Sequence, residues 1–228
     1  MKIGIIREGK NPPDSRVPLI PQQCAALLKK GLNLVVQSSP IRCFKDEEYA
    51  ALGVPIVEDV TDCDVLLGVK EVPIEQLIAN KGYFFFSHTI KAQPYNRKLL
   101  QAVLAKNIQL MDYEVLTNKN GQRVIAFGYF AGMVGAYNGI MAYGKRTQLF
   151  DLKRMHKCYD YAEAKTQFAK LDLPAIKIVL TGTGRVSSGA AQVLTDMGIR
   201  QVSPKDFLEW EYDHLVFCLL YTSPSPRD

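Results

Sequence analysis

Residues 175–204, AIKIVLTGTGRVSSGAAQVLTDMGIRQVSP, predict a strand, a glycine turn, a helix and a second strand. The β-rich run 176–180 leads directly into Gly182 and Gly184. A segment with helical spacing of apolar residues follows and ends at Gly198, as helices often do. A glycine turn between a strand and a helix is the setting in which free helix amides bind a dinucleotide pyrophosphate. The stretch therefore predicts a nucleotide-binding α/β unit.

The residues of this turn are suited to that role in different ways. Gly182 allows the tight turn, and Gly184 lets the backbone approach the pyrophosphate. Arg185 and Val186 open the helix, so we take these four residues as the candidate cofactor site. Ser187 replaces the third glycine of the pattern, which weakens close helix–strand packing only slightly. A strand–helix turn without a ligand remains the alternative.

The choice between NAD and NADP stays open at this point. An acidic residue that holds the adenine ribose is expected roughly 20 residues after the glycines. Ser203 and Pro204 stand there, and Asp206 follows beyond the expected end of the strand. We expect NAD as the cofactor and leave NADP as the alternative.

Upstream of this unit, short apolar strands alternate with helical segments through about residue 127. Examples are the apolar run 64–69, the helix predicted at 73–80 and the long amphipathic helix predicted at 93–107. Such alternation indicates a parallel sheet covered on both faces. The predicted fold is therefore α/β, with a parallel-sheet substrate domain followed by the start of a truncated Rossmann domain.

Residues 127–146, FGYFAGMVGAYNGIMAYGKR, carry glycines at helical spacing with aromatic residues between them. Small residues at this spacing let a helix pack closely against a neighbour. Asn138 and the flanking charges favour a connecting helix over a membrane span. We therefore predict a substrate domain at 1–135, connecting helices at 136–173 and a partial Rossmann domain at 174–217.

Composition excludes several classes of protein. The 228 residues include 28 basic and 23 acidic ones, for a formal charge of +5 without a long basic run, which does not suggest nucleic-acid binding. No apolar run approaches the roughly 18 residues of a membrane span, and the N-terminus is not a signal peptide. Five cysteines without a CxxC pair favour free thiols over a metal site. We expect a cytoplasmic protein with a small-molecule substrate, no metal, no nucleic-acid partner and no membrane partner.

Polar residues follow several of the predicted strands. Lys70 and Glu71 follow one strand, His88 follows the next, Glu114 lies near the end of another, and Arg16 precedes a helix. Taken alone, each of these residues can be explained without a function, either as part of a surface charge pair or as a buried residue whose hydrogen bonds are all made. Because the carboxyl ends of parallel strands face the ligand crevice, their convergence favours a functional site.

Four segments carry a family resemblance, over about residues 1–147 and 174–217. REGKNPPDSRVPLIPQQ (7–23) resembles the opening of the alanine dehydrogenase/transhydrogenase N-terminal domain family. GVKEVP (68–73), FFFSHTIK (84–91) and MDYEVLTNKNGQRVIAFGYFAG (111–132) resemble, in order, segments of lysine-forming saccharopine dehydrogenases. The last segment, with Glu114 and Arg123, separates these from alanine dehydrogenases.

The resemblance implies a set of roles. Lys70 would act as acid/base at a secondary amine, and His88 would do so for the water that attacks an imine. Glu71 and Glu114 would tune the protonation of the lysine and histidine. The implied reaction is NAD-dependent conversion of saccharopine and water to L-lysine and 2-oxoglutarate. Arg16 and Arg123 would bind substrate carboxylates, which a guanidinium matches with paired hydrogen bonds.

The last eleven residues, CLLYTSPSPRD (218–228), break the pattern. They match one reading frame of a transposon-based sequencing adapter, so we interpret them as an artefactual tail. The 44 residues 174–217 hold one strand–helix–strand unit of about 30 residues and little more. We therefore expect a fragment that is inactive alone, and assign the function to the parent protein.

Two other interpretations of the function remain open. One is an alanine dehydrogenase or other opine-type imine reductase on the same scaffold. The other is a non-catalytic nucleotide-sensing module, which Ser187 and the missing ribose-binding acid would suit.

Overall fold

The computed structural model describes residues 1–220. The chain divides into two compact units, residues 1–125 and residues 126–228. The predicted boundary at residue 135 instead falls inside one continuous helix, Gly128–Thr147. Within the described part of the chain, no helix has the length and apolar character needed to cross a bilayer.

The first unit is built on a six-stranded sheet in which all paired neighbours are parallel. Its strands are β1 (Lys2–Ile5), β2 (Asn33–Gln37), β3 (Ile56–Val57), β4 (Val65–Leu67), β5 (Gly82–Phe85) and β6 (Gln109–Asp112), and its helices are α1 (Pro21–Lys29), α2 (Asp46–Ala50) and α3 (Arg97–Ala105). The strand order is β3-β2-β1-β4-β5-β6. This confirms the predicted parallel α/β fold, and it places all six carboxyl ends at one edge of the sheet.

Apolar side chains cover both faces of this sheet. Along β2, Leu34 and Val36 join Tyr49 of α2 in one buried cluster. Val35, which points the opposite way, belongs to a second cluster that includes Leu99 of α3. Burial on both faces explains why these strands are continuous apolar runs.

The helix predicted at 73–80 is wrong. The backbone makes a single 3₁₀ turn, Ile74–Gln76, and then extends at Leu77. The Lys106 ammonium donates hydrogen bonds to the carbonyls of Ile74 and Leu77. The Ile74 carbonyl also accepts the Leu77 amide at 3.3 Å within this turn, whereas the Leu77 carbonyl binds Lys106 in place of a helical amide, so a tertiary contact overrides the local helical pattern.

The second unit holds a parallel three-stranded sheet. In the doubly wound fold the first strand pairs with the second; here the third strand lies between the other two. The first three residues of the predicted tail, 218–220, belong to this third strand. The rest of the tail lies outside the described residues. The elements are α4 (Gly128–Thr147), α5 (Tyr161–Thr166), β7 (Lys177–Thr181), α6 (Arg185–Asp196), β8 (Arg200–Val202), α7 (Pro204–Glu209) and β9 (Val216–Leu220).

The glycine-rich helix α4 packs directly against α6. A Cβ added at Gly132 would lie 1.8 Å from the Val186 carbonyl oxygen, and one added at Gly189 would lie 1.9 Å from the Tyr129 carbonyl oxygen. Only glycine permits so close an approach of two backbones. Gly189 therefore makes the tight helix contact in this unit, while Ser187 is buried and its Oγ donates to the Gly184 carbonyl at 2.8 Å.

The segment predicted as connecting helices contains α5 and two short 3₁₀ turns in its second half. Leu152 and Ala164 are buried in the core of the second unit. This part of the predicted connecting segment therefore contributes to that core.

Substituting Gly132 with alanine should destabilise the second unit by about 1–3 kcal/mol, because the new methyl overlaps a backbone carbonyl. Gly135→Ala in the same helix is the matched control, since an added Cβ there meets no atom of the described residues within 4 Å. That control should gain about 0.5–1 kcal/mol from better helix propensity. Urea unfolding of both variants measures the difference, and equal effects would refute the close packing.

Candidate active site

Polar side chains gather where four neighbouring strands of the first unit end. Glu8 follows β1, Lys70 and Glu71 follow β4, His88 follows β5, and Glu114 follows β6. These four strands are adjacent and parallel. The sheet therefore brings four of the predicted residues, Lys70, Glu71, His88 and Glu114, to one edge, although their roles stay predictions.

His88, Glu71 and Lys10 form a continuous chain of hydrogen bonds. His88 Nδ1 lies 2.5 Å from Glu71 Oε1, and Lys10 Nζ lies 2.6 Å from Glu71 Oε2. The Glu71 side chain is 11% exposed and that of His88 is 18% exposed. A largely buried carboxylate thus has an imidazole on one oxygen and an ammonium on the other.

The charge of Glu71 determines which ring nitrogen of the neutral His88 imidazole carries the proton. Burial raises the pKa of Glu71, but hydrogen bonds from Lys10 and His88 outweigh burial and leave that pKa below its ordinary value. Glu71 is therefore ionised at neutral pH and can only accept hydrogen bonds. His88 Nδ1 must then donate, so Nε2 of the neutral ring carries the free lone pair.

Arg16 is held by a carboxylate two residues away. Its Nε donates to Asp14 Oδ1 at 2.8 Å, and its Nη2 donates to Asp14 Oδ2 at 2.5 Å. The hydrogen bond from Arg16 lowers the pKa of Asp14 most, and the positive charge of Lys70 lowers it further. Lys70 thus lies close enough to the Asp14–Arg16 pair to interact with it electrostatically.

Glu8 fixes the backbone that carries Lys70. Its two carboxylate oxygens accept hydrogen bonds from the amides of Val69 at 2.7 Å and Lys70 at 2.8 Å. Burial raises the pKa of Glu8, against the effect of these two amides. The end of β1 is thereby tied to the end of β4.

Glu114 forms ion pairs with two cations. Its Oε1 is 3.3 Å from Lys91 Nζ and 3.6 Å from Arg123 Nη1. Its Oε2 is buried without a hydrogen-bond partner among the described residues. The Phe86 ring connects this group to the histidine, because it stacks on His88 at 6.4 Å and lies under the Arg123 guanidinium at 5.9 Å.

The backbone of the glycine turn in the second unit has free space beside it at Gly184. Gly182 adopts φ +106°, a left-handed conformation that favours glycine. A Cβ added at Gly184 would meet no atom of the described residues within 4 Å. Helix α6 starts at Arg185, and its first internal bond runs from the Ser188 amide to the Gly184 carbonyl. The amides of Val186 and Ser187 precede that bond, and amides at a helix N-terminus can bind an anion.

No acidic side chain of the described chain stands directly after β8, where the ribose-binding acid was expected. Ser203 follows β8 and caps α7 by accepting a hydrogen bond from the Asp206 amide at 3.0 Å. Asp206 therefore belongs to the first turn of α7.

Sequence reasoning missed four polar residues of this site: Glu8, Lys10, Asp14 and Lys91. Glu8 had the same signal as the residues that were found, since it follows an apolar strand of the parallel sheet. Lys10 and Asp14 lie in an irregular segment and Lys91 in a short 3₁₀ turn, where no periodic pattern marks them.

The chain is similar to known proteins in sequence and in fold. Residues 4–134 match the family model described as alanine dehydrogenase/PNT, N-terminal domain. The mitochondrial alpha-aminoadipic semialdehyde synthase of Rattus norvegicus is 34% identical over 221 residues, covering 89% of this chain and 24% of the relative. Saccharopine dehydrogenase (NAD(+), L-lysine-forming) of Yarrowia lipolytica is 29% identical over 229 residues, covering 90% of this chain and 59% of the relative.

A solved structure of L-alanine dehydrogenase matches with a TM-score of 0.62 at 18% identity, over 96% of this chain and 61% of that one. At this identity the likeness concerns the fold. The chain spans 24% of the length of the synthase and 59% of that of the saccharopine dehydrogenase.

Proposed function

Because the chain belongs to the alanine dehydrogenase/PNT N-terminal domain family, we propose that it is part of an NAD-dependent dehydrogenase acting on saccharopine. The reaction would convert saccharopine, NAD and water to L-lysine, 2-oxoglutarate and NADH. The Lys10–Glu71–His88 chain, directly beside Lys70 at the sheet edge, carries the proposal. Similarity to lysine-forming saccharopine dehydrogenases supports this substrate over others.

The imidazole would act on water. Since Glu71 holds the Nδ1 proton of His88, the lone pair of Nε2 can take a proton from a water that attacks an imine carbon. The imidazolium so formed is stabilised by the ionised Glu71. The same ring can return the proton as the carbon–nitrogen bond breaks.

Lys70 would act on the nitrogen of the substrate. Oxidation of a protonated secondary amine requires a base, and a lysine amine can accept that proton. Glu8 holds the Lys70 backbone amide, which fixes the start of the side chain. Asp14 supplies negative charge near the ammonium once the proton has moved.

The two arginines would bind substrate carboxylates. Arg16 has Asp14 as a partner and Arg123 has Glu114, and both guanidinium groups are partly exposed. A guanidinium binds a carboxylate through paired hydrogen bonds, so each arginine could anchor one substrate carboxylate. Two anchors of this kind suit a substrate with carboxylates at both ends.

The glycine turn fits a nicotinamide dinucleotide, because an added Cβ at Gly184 would meet no described atom and the turn leads into the N-terminus of α6. Gly182, Gly184, Arg185 and Val186 would hold the pyrophosphate. A nicotinamide held there would supply the hydride acceptor for the oxidation. NAD is the proposed form, with NADP as the alternative tested below.

A substrate and cofactor panel tests the proposal. The full-length protein should form NADH from saccharopine and should oxidise NADH with lysine plus 2-oxoglutarate. It should not form NADH from alanine. Turnover of alanine alone would assign an alanine dehydrogenase, activity only with NADP would correct the cofactor, and nucleotide binding without turnover would indicate a sensing module.

A further inference from the structure

Asp112, the last residue of β6, is a buried carboxylate that the proposed mechanism does not use; it is 7% exposed. Its Oδ2 accepts a hydrogen bond from Ser87 Oγ at 2.5 Å. Its Oδ1 accepts hydrogen bonds from the Glu114 amide at 2.8 Å and the Ser87 amide at 3.4 Å. One side chain thus ties the end of β5 to the turn that carries Glu114.

The same group holds both neighbours of His88. Ser87 precedes the histidine and is fully buried. Its Oγ lies 2.7 Å from Thr89 Oγ1 and accepts a hydrogen bond from the Thr89 amide at 3.1 Å. The residues before and after His88 are therefore linked through a single hydroxyl, which is itself bound to Asp112.

The backbone of His88 needs such support. Its φ is +55°, in the left-handed region that residues other than glycine adopt uncommonly. Strained conformations of this kind persist where surrounding contacts determine them, and they concentrate at functional sites. The conformation matters because it sets the direction of the ring that meets Glu71.

We propose that Asp112 is a positioning residue. Through Ser87, Asp112 holds His88 in the left-handed conformation that aims the imidazole ring at Glu71. By accepting the hydrogen bond of the Glu114 amide, Asp112 also holds Glu114 in place. The catalytic consequence rests on the proposed function, since it requires His88 to act as acid and base. The structural consequence, an aligned His88 ring, does not depend on any substrate.

Asp112→Ala tests this role, with Asp112→Asn as the rescuing variant. The asparagine oxygen can still accept from the Glu114 and Ser87 amides, and its NH₂ group can donate to Ser87 Oγ. Asp64→Ala is the matched control. Asp64 also accepts a backbone amide, that of Lys2 at 2.6 Å, but at the opposite edge of the same sheet.

Two readouts separate positioning from stability. The first is the NMR signal of the His88 Nδ1 proton in the 228-residue chain, assigned among three histidines. The second is kcat and KM in the full-length protein, with thermal stability measured for every variant. If Asp112→Ala does not fold, Ser87→Ala breaks the same link and should shift the same signal.

We expect Asp112→Ala to lose the Nδ1 proton signal and to lower kcat by roughly 10- to 100-fold with little change in KM, because small misplacements of reacting groups cost rates of this order. Asp112→Asn should restore both, and Asp64→Ala should change only thermal stability. An unchanged His88 signal in folded Asp112→Ala and Ser87→Ala would overturn the proposal. If the wild-type protein does not turn over saccharopine, the proposed function fails while the NMR readout still decides the positioning role.

Discussion

Replacing Lys70 with methionine in the full-length protein is expected to reduce NADH formation from saccharopine by about 10²–10⁴-fold, the usual contribution of a positioned acid or base. Methionine keeps the length and apolar stem of lysine but cannot take the proton from the secondary amine. The Glu8 carboxylate binds the backbone of residue 70 and not its side chain, so the loop should keep its path. Initial rates at saturating saccharopine measure the effect on kcat.

Lys98→Met is the matched control for this experiment. Lys98 lies on α3 in the same unit and is exposed to solvent. Its replacement removes the same charge from the same domain and should leave the rate unchanged. Wild-type rates of NADH formation in Lys70→Met would rule out the acid/base role of Lys70.

Replacing His88 with asparagine should lower kcat by a similar factor of about 10²–10⁴, because the base for water is lost. Asparagine is the suitable substitute, since it tolerates the left-handed backbone of this position better than most residues do. The variant should also lose the ionisation of His88 from the pH profile of kcat/KM. The pKa of Glu71 should rise towards its ordinary value, because one of the hydrogen bonds that lower it is gone.

The chain offers a matched histidine control. His214 Nδ1 lies 2.6 Å from Asp213 Oδ1, so it too is a histidine–carboxylate pair, but it is half exposed and lies in the second unit. His214→Asn should leave the rate and the pH profile unchanged. Retention of the wild-type pH profile by His88→Asn would contradict the role assigned to His88.

Much of the site could be predicted because a parallel sheet converts strand order into spatial proximity. Lys70, His88 and Glu114 each follow an apolar strand, so the alternation of strands and helices was enough to place them at one edge. Glu8 carried the same signal at the end of β1. The pattern of an apolar strand followed by a polar residue is local to each strand, and the parallel sheet then brings these polar residues together at one edge.

Lys10 and Asp14 could not be found in this way. They lie in the irregular segment between β1 and α1, whose path depends on contacts with Glu71 and Arg16 rather than on a repeating pattern. The helix predicted at 73–80 failed for a related reason. Its carbonyls bind Lys106, which is distant in sequence, and local propensity does not report such a contact.

The glycine-rich helix illustrates a partial success. Its spacing predicted close packing, and α6 proved to be the partner, with Gly132 and Gly189 at the contact. The partner itself was not predictable from spacing. The strand order β7-β9-β8 was likewise beyond the sequence pattern, because periodicity identifies strands but not their neighbours.

The most direct test of the central claim is a crystal structure of the protein with saccharopine bound. We predict density for the ligand at the carboxyl edge of β1, β4, β5 and β6. Its secondary amine should lie within hydrogen-bond distance of Lys70 Nζ, with its carboxylates on Arg16 and Arg123. Ligand density away from this edge, or an amine out of reach of both Lys70 and His88, would contradict the assignment of an acid/base site to these residues.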